Sequence, residues 1–146
     1  MLKDTVQIRF SLAADEWPID EFIEKIGDIA TETYKNGDIF VRSTREMQRF
    51  ETVWTIKSEV MKIEYAGDED MQFFESIIAP LRPHIELINH YKEKYQITPI
   101  FFAHYRFYWA QTPGMRLYPE IITFAHQIGA IIDVYLDKII DDEENE

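Results

Sequence analysis

Pro119-Glu120-Ile121-Ile122-Thr123-Phe124-Ala125-His126-Gln127-Ile128-Gly129-Ala130-Ile131-Ile132-Asp133-Val134-Tyr135 is the stretch that decides the fold class. Proline suits a first helical position because its missing N–H would be unpaired there anyway. Ile121, Ile122, Ala125 and Ile128 then fall inward on a helical period, and Gly129 supplies the stop. Ile132, Val134 and Leu136 follow with the period of two that marks a strand. Just upstream, residues 97–109 read as a strand apolar on both sides, which places it centrally in a sheet. Strand, helix, strand in that order predicts a parallel pair joined by a right-handed crossover.

Outward from there, the remaining elements predict an α+β domain. Its sheet is mixed and mostly antiparallel, with about five strands and two or three helices packed on it. Val6, Ile8, Phe10 and Leu12 alternate with polar residues, giving an opening strand with one buried face. Pro18 starts a helix in which Ile19, Phe22, Ile23 and Ile26 share a face and Gly27 ends the run. A turn over 34–38 leads into a short strand over 39–42. Ser43-Thr44-Arg45-Glu46 fits a capping box and predicts a brief helix over 44–50. Residues 52–57 read as a strand. Met61, Ile63 and Tyr65 either continue it or form its hairpin partner, with a bulge near 58–60. A long helix over 70–95 must be kinked or divided by Pro80 and Pro83.

The chain has 146 residues, 46% hydrophobic, which is long enough for one self-sufficient core and outside the disordered class. We expect a single domain over 1–140 and a disordered acidic tail over 141–146. With no cysteine, disulfides, thiolate metal sites and cysteine nucleophiles are excluded. Residues 1–5 lack the apolar stretch of a secretory signal, and the most apolar run, 99–110, is too short to span a bilayer. A cytoplasmic protein without membrane association is expected.

Charge is the strongest functional signal. Twenty-seven acids oppose fifteen basic residues, a formal −12. Residues 15–38 hold eight acids (Asp15, Glu16, Asp20, Glu21, Glu24, Asp28, Glu32, Asp38) against two lysines, and the tail adds five more. Such a surface repels nucleic acid and speeds encounter with basic partners.

The order of elements and several local residues resemble the bacterial family of domain of unknown function 4279. The residues concerned are Trp17-Pro18-Ile19-Asp20, the Lys35-Asn36-Gly37-Asp38 turn, Trp54, and the run from Pro119 through 124–130 into 132–135. The likeness covers nearly the whole chain apart from the tail, and the inserted Asn36 departs from a Lys-Gly-Asp pattern. It implies an α+β domain and carries over no functional residue. By analogy, small bacterial proteins of this type are similar to partners of secreted toxins.

No residue pattern demands catalysis. His84 and His90 are six apart and cannot both ligate from one helix face, and His104 and His126 lie elsewhere. We expect neither a metal site nor a cofactor. Asp133, between Ile132 and Val134, reads as an outward or edge position, or else a buried carboxylate needing Arg106 or Lys138. The aromatic run 101–109 reads as a central strand, since stacking on bases would want more basic neighbours than Arg106. Arg42, Arg45 and Arg49 line up if 44–50 is helical. There they would grip an anionic ligand or pair with the acids of 15–38.

Two functions follow. The first is a non-catalytic module that occludes a basic protein, such as an immunity protein on a toxin domain. Asp15, Glu16, Asp20, Glu21, Glu24 and Asp28 would steer association, with Trp17 as an exposed anchor. The same acids serve equally well as a solubilising face. The alternative is a small-ligand or regulatory domain with a pocket between helix 70–95 and the sheet.

Overall fold

A computed structural model describes residues 2–108 and 114–140. Its elements are β1 (Thr5–Ala14), α1 (Ile19–Ile26), β2 (Glu32–Tyr34), β3 (Ile39–Arg42), β4 (Arg45–Gln48), β5 (Thr52–Lys57), β6 (Met61–Lys62), α2 (Glu69–Leu81), a 3-10 turn (Arg82–His84), α3 (Ile85–Tyr95), β7 (Thr98–Phe107), α4 (Pro119–Ile128) and β8 (Ile131–Lys138). The expected acidic tail, 141–146, and Trp109 lie outside the described residues.

β1 is the spine of the sheet. It pairs antiparallel with β5 on one side and β7 on the other, giving the order β2-β5-β1-β7-β8, with β6 also on β1. The expected parallel pair is β7 and β8, with Ile100 opposite Ile131 and Phe107 opposite Lys138. Every other pairing is antiparallel. β7 therefore lies between two neighbours, as its apolar composition predicted, and β8 forms the edge.

The bulge at 58–60 is real. β5 runs opposite β1 in the register Arg9↔Lys57, whereas β6 runs Val6↔Met61, so the second strand carries one extra residue. Ser58 closes the gap: its N–H donates to Ile8 O at 2.8 Å, and its Oγ accepts from Ile8 N at 3.0 Å. β5 and β6 are thus one bent run along β1.

Helices cover one face of the sheet, and the core lies between. Val6, Ile8, Phe10 and Leu12 are buried there, with Trp54 and Ile56 from β5 and Phe101, Ala103 and Tyr105 from β7. Phe22 of α1 meets Trp54 edge-on at 5.5 Å, and Phe74 of α2 meets Phe101 at 6.0 Å. The helix read over 70–95 is divided where Pro83 sits, in the 3-10 turn, while Pro80 is carried inside α2. In α4 the inward set is Ile121, Phe124, Ala125 and Ile128, at i, i+3, i+4 and i+7. Ile122, expected inward, is about 100° round the helix from Ile121 and is exposed.

One expected element is replaced. Residues 45–48 form a strand, β4, in a hairpin with β3, instead of a helix over 44–50. Ser43 and Thr44 adopt positive φ of 49° and 69°, the pattern of a two-residue type I′ turn between Arg42 and Arg45. That conformation cannot start a helix, so the capping-box pattern is not used. Among the described residues, no helix is long and apolar enough to cross a membrane.

Candidate functional site

The chain from β1 into α1 puts the acids where the sequence placed them, outside, but gives them unequal surroundings. Asp15, Glu16, Asp20, Glu21, Glu24 and Asp28 are all exposed. Asp20 is paired with Lys35. Glu21 accepts from Lys25 at 3.1 Å, one helical turn away, and from the Tyr91 hydroxyl at 2.6 Å. Those two donors, Tyr91 first, hold its carboxyl below the usual carboxylate range. Glu32 lies 3.9 Å from Arg49, and Asp38 turns back to accept from the Lys35 backbone N–H at 2.8 Å. Among the described residues, Asp15, Glu16, Glu24 and Asp28 have no cation within 4 Å and no side-chain hydrogen bond.

Trp17, expected to be exposed, is buried. Its indole lies edge-on to Phe22 at 5.4 Å, and its Nε1–H donates to Thr52 O at 2.9 Å. The ring is the plug between β1 and α1, and its apolar area is too large to leave in water when the core is one residue away. It cannot anchor a partner.

Exposed apolar residues do occur nearby, on the β3–β4 hairpin. Ile39 and Val41 share its outer face and are 70% and 68% exposed, and Phe50, just past β4, is 78% exposed. The inner face is fixed by Arg49, whose guanidinium lies 3.9 Å from the ring centres of both Tyr34 and Phe40. Arg42 and Arg45 stand opposite each other at the tip. The Asn36 amide ties this hairpin to the acidic segment, donating to Asp15 O at 3.1 Å and to Phe50 O at 3.0 Å. The Asp15 backbone, which leads into the acidic segment, is thereby held close to Phe50 at the base of the hairpin. Sequence reasoning missed these exposed apolar residues because it read part of the hairpin as helix.

The interface between α2 and the sheet is filled by Phe73, Phe74, Ile77, Ile78 and Leu81, all buried. Arg42, Arg45 and Arg49 lie on or beside the hairpin, away from it. Cations gather instead on the face of the sheet opposite the helices. There a hollow of about 300 Å³ is lined by Gln7, Arg9, Lys57, Phe102, His104 and Tyr135. Asp133 lies on this outward face of the edge strand, in register with Phe102. Among the described residues, no three His, Asp or Glu side chains converge as metal ligands would.

A mixed sheet backed by helices on one face and open on the other, with acids around α1 and a separate two-stranded hairpin, describes a small α+β domain. The chain belongs to the family described as Domain of unknown function (DUF4279), which matches residues 4–138. No curated protein and no solved structure matches it.

Proposed function

We propose that this chain is a non-catalytic protein-binding module that covers a basic partner with its acidic end, as an immunity protein covers a toxin domain. The observation that supports this is the juxtaposition of uncompensated acids with exposed apolar side chains. The Asn36 amide ties Asp15 to Phe50, which is exposed as are Ile39 and Val41 of β3, and Glu24 and Asp28 add to the negative field on α1 and just past it. Single exposed apolar residues are ordinary, but an apolar strip rimmed by charge is the usual anatomy of a protein interface. The acids would speed encounter and the hairpin would supply desolvated area.

The test is capture from the native cell lysate at low and high salt, using the wild-type chain and two variants. One carries Glu16→Lys, Glu24→Lys and Asp28→Lys, and the other carries Ile39→Ser and Val41→Ser. A basic protein retained at low salt by the wild type alone supports the reading. Capture of the same proteins by the charge-reversed chain, or of acidic proteins only, overturns it.

A further inference from the structure

Arg9 and Lys57 lie directly opposite each other on neighbouring antiparallel strands. Like charges in that position repel and destabilise a sheet. In a chain of net charge −12, nearby carboxylates would be expected to neutralise them. Among the described residues none does: neither Arg9 nor Lys57 has an acid within 4 Å. Two carboxylates of β8 share this face: Asp133 is in register with Phe102, and Asp137 lies 3.5 Å from His104 and 3.7 Å from Arg106, and neither comes within 4 Å of Arg9 or Lys57.

The surroundings of these cations have the shape of a site. Strand register sets Lys57, Arg9 and Phe102 in one row and Gln7, His104 and Tyr135 in the next. Phe102 and Tyr135 stack with centroids 5.8 Å apart and 26° between planes. The Arg9 guanidinium lies 4.6 Å from the Phe102 ring centre. Gln7, which also lines the hollow, is held by its Nε2–H donating to Ser58 O at 2.9 Å. Asp133 lies beyond Phe102 and does not line the hollow. A larger hollow of about 530 Å³ beside α4 offers a single cation, Arg82, which Glu75 already holds at 2.6 and 3.0 Å.

We propose that the open sheet face binds a small planar anion, an aromatic ring carrying a carboxylate or a phosphate, with the charged group between Arg9 and Lys57 and the ring against Phe102 and Tyr135. A hollow of about 300 Å³ is at the lower end of small-molecule sites. An anion there relieves the Arg9–Lys57 repulsion, and the paired rings supply the stacking surface. The site is on the helix-free face and is independent of the protein-binding reading.

The experiment is a titration of the ¹⁵N-labelled chain, followed by amide shifts, with four probes: benzoate, adenosine monophosphate, neutral benzamide and inorganic phosphate. Benzoate or adenosine monophosphate should shift the amides of Arg9, Lys57, Phe102 and His104. Benzamide and phosphate should bind at least tenfold more weakly. Whichever ring-bearing anion binds more tightly identifies carboxylate or phosphate as the natural group. Arg9→Gln and Lys57→Gln should each weaken that anion roughly tenfold, the equivalent of one charge-assisted hydrogen bond. Thermal melts should show that both variants fold, as expected for exposed positions. Shifts mapping elsewhere, no saturation by either ring-bearing anion, benzamide or phosphate matching it, or unchanged affinity in both variants would overturn the proposal. So would tighter binding of a hexaglutamate peptide, which would make the occupant an acidic chain.

Discussion

Asp4 and Tyr65 make a polar contact that ties the start of β1 to the segment after β6. Asp4 is 3% exposed, and its carboxylate accepts from the Tyr65 hydroxyl and from the Tyr108 N–H at 2.9 Å. Burial of the hydroxyl end, and then the bond to Asp4, push the Tyr65 phenol up to about 12. Tyr105 is raised in the same direction, by burial first and by Asp70 second. In the unfolded chain both phenols ionise near pH 10. A raised folded pKa therefore contributes stability that is present below pH 10 and lost as pH rises from there through the folded value. We expect urea midpoints to fall between pH 10 and pH 12, and Tyr65→Phe to flatten that fall while costing about 1 kcal/mol at pH 8 through the lost hydrogen bond. Tyr105 leaves a residual slope, which the double variant with Tyr105→Phe should reduce further, while Tyr91 and Tyr118, whose phenols are raised in the same direction, sustain the remainder. Equal slopes in wild type and Tyr65→Phe would mean that the Asp4 contact does not survive in solution. The same scale explains why Trp17 could not be placed from sequence. A tryptophan beside two acids and before a proline looks like a surface anchor, and only the distant Thr52 carbonyl, 35 residues on, gives its indole N–H a buried partner.

Elements were legible where their signals were periodic and punctuated. The alternation of Val6, Ile8, Phe10 and Leu12 and the i, i+3, i+4, i+7 spacing of Ile19, Phe22, Ile23 and Ile26 repeat often enough to outweigh local accidents. Pro18, Gly27, Pro119 and Gly129 fix the ends, and Gly129 ends α4 at a φ of 63°. The hairpin β3–β4 had neither advantage. Its two-residue turn uses Ser43 and Thr44, and nothing in Ser-Thr announces positive φ as Asn-Gly would. The three residues of β2 are too few to show a period. Arg9, Lys57, Phe102 and Tyr135 are scattered over 127 positions and are brought together only by register. Their site left no local trace. The turn also makes a prediction. A β-branched threonine at a φ of 69° is strained, so Ser43→Asn with Thr44→Gly should stabilise the hairpin by about 1 kcal/mol. Because β3 and β4 form a separate two-stranded sheet, the gain should appear first as slower amide exchange within 39–48 and only partly in the global melt. Faster exchange there would show that Ser43 and Thr44 make contacts worth more than their strain.

For the whole molecule, the question is whether its negative field serves recognition or only solubility, and α1 allows the two to be separated. Asp20 and Glu21 occupy the first turn, where the helix dipole favours negative charge, and both have cation partners. Glu24 lies in the last turn, where the dipole opposes it, and Asp28 follows just past the helix end, both without a cation within 4 Å among the described residues. Placement there costs stability, on the order of 0.3–1 kcal/mol for a charge near the wrong end of a helix. Without these two acids the chain would still carry a formal charge of −10, ample for solubility. Acids placed where they weaken the fold fit the trade-off of stability against function expected at a binding surface. Replacing Glu24 by Gln, with Asp28→Asn, should therefore raise the melting temperature slightly while slowing association with the captured partner. Added salt should separate the effects in the same way. Screening relieves self-repulsion and stabilises the free chain, but it slows a steered encounter. Stopped-flow association rates and thermal melts across 20–300 mM salt should move in opposite directions for the wild type, and the association rate should flatten for the double variant. If the neutralised chain is more stable and associates just as fast at every salt concentration, the acidic end is a solvated surface and recognition must be assigned to the hairpin alone.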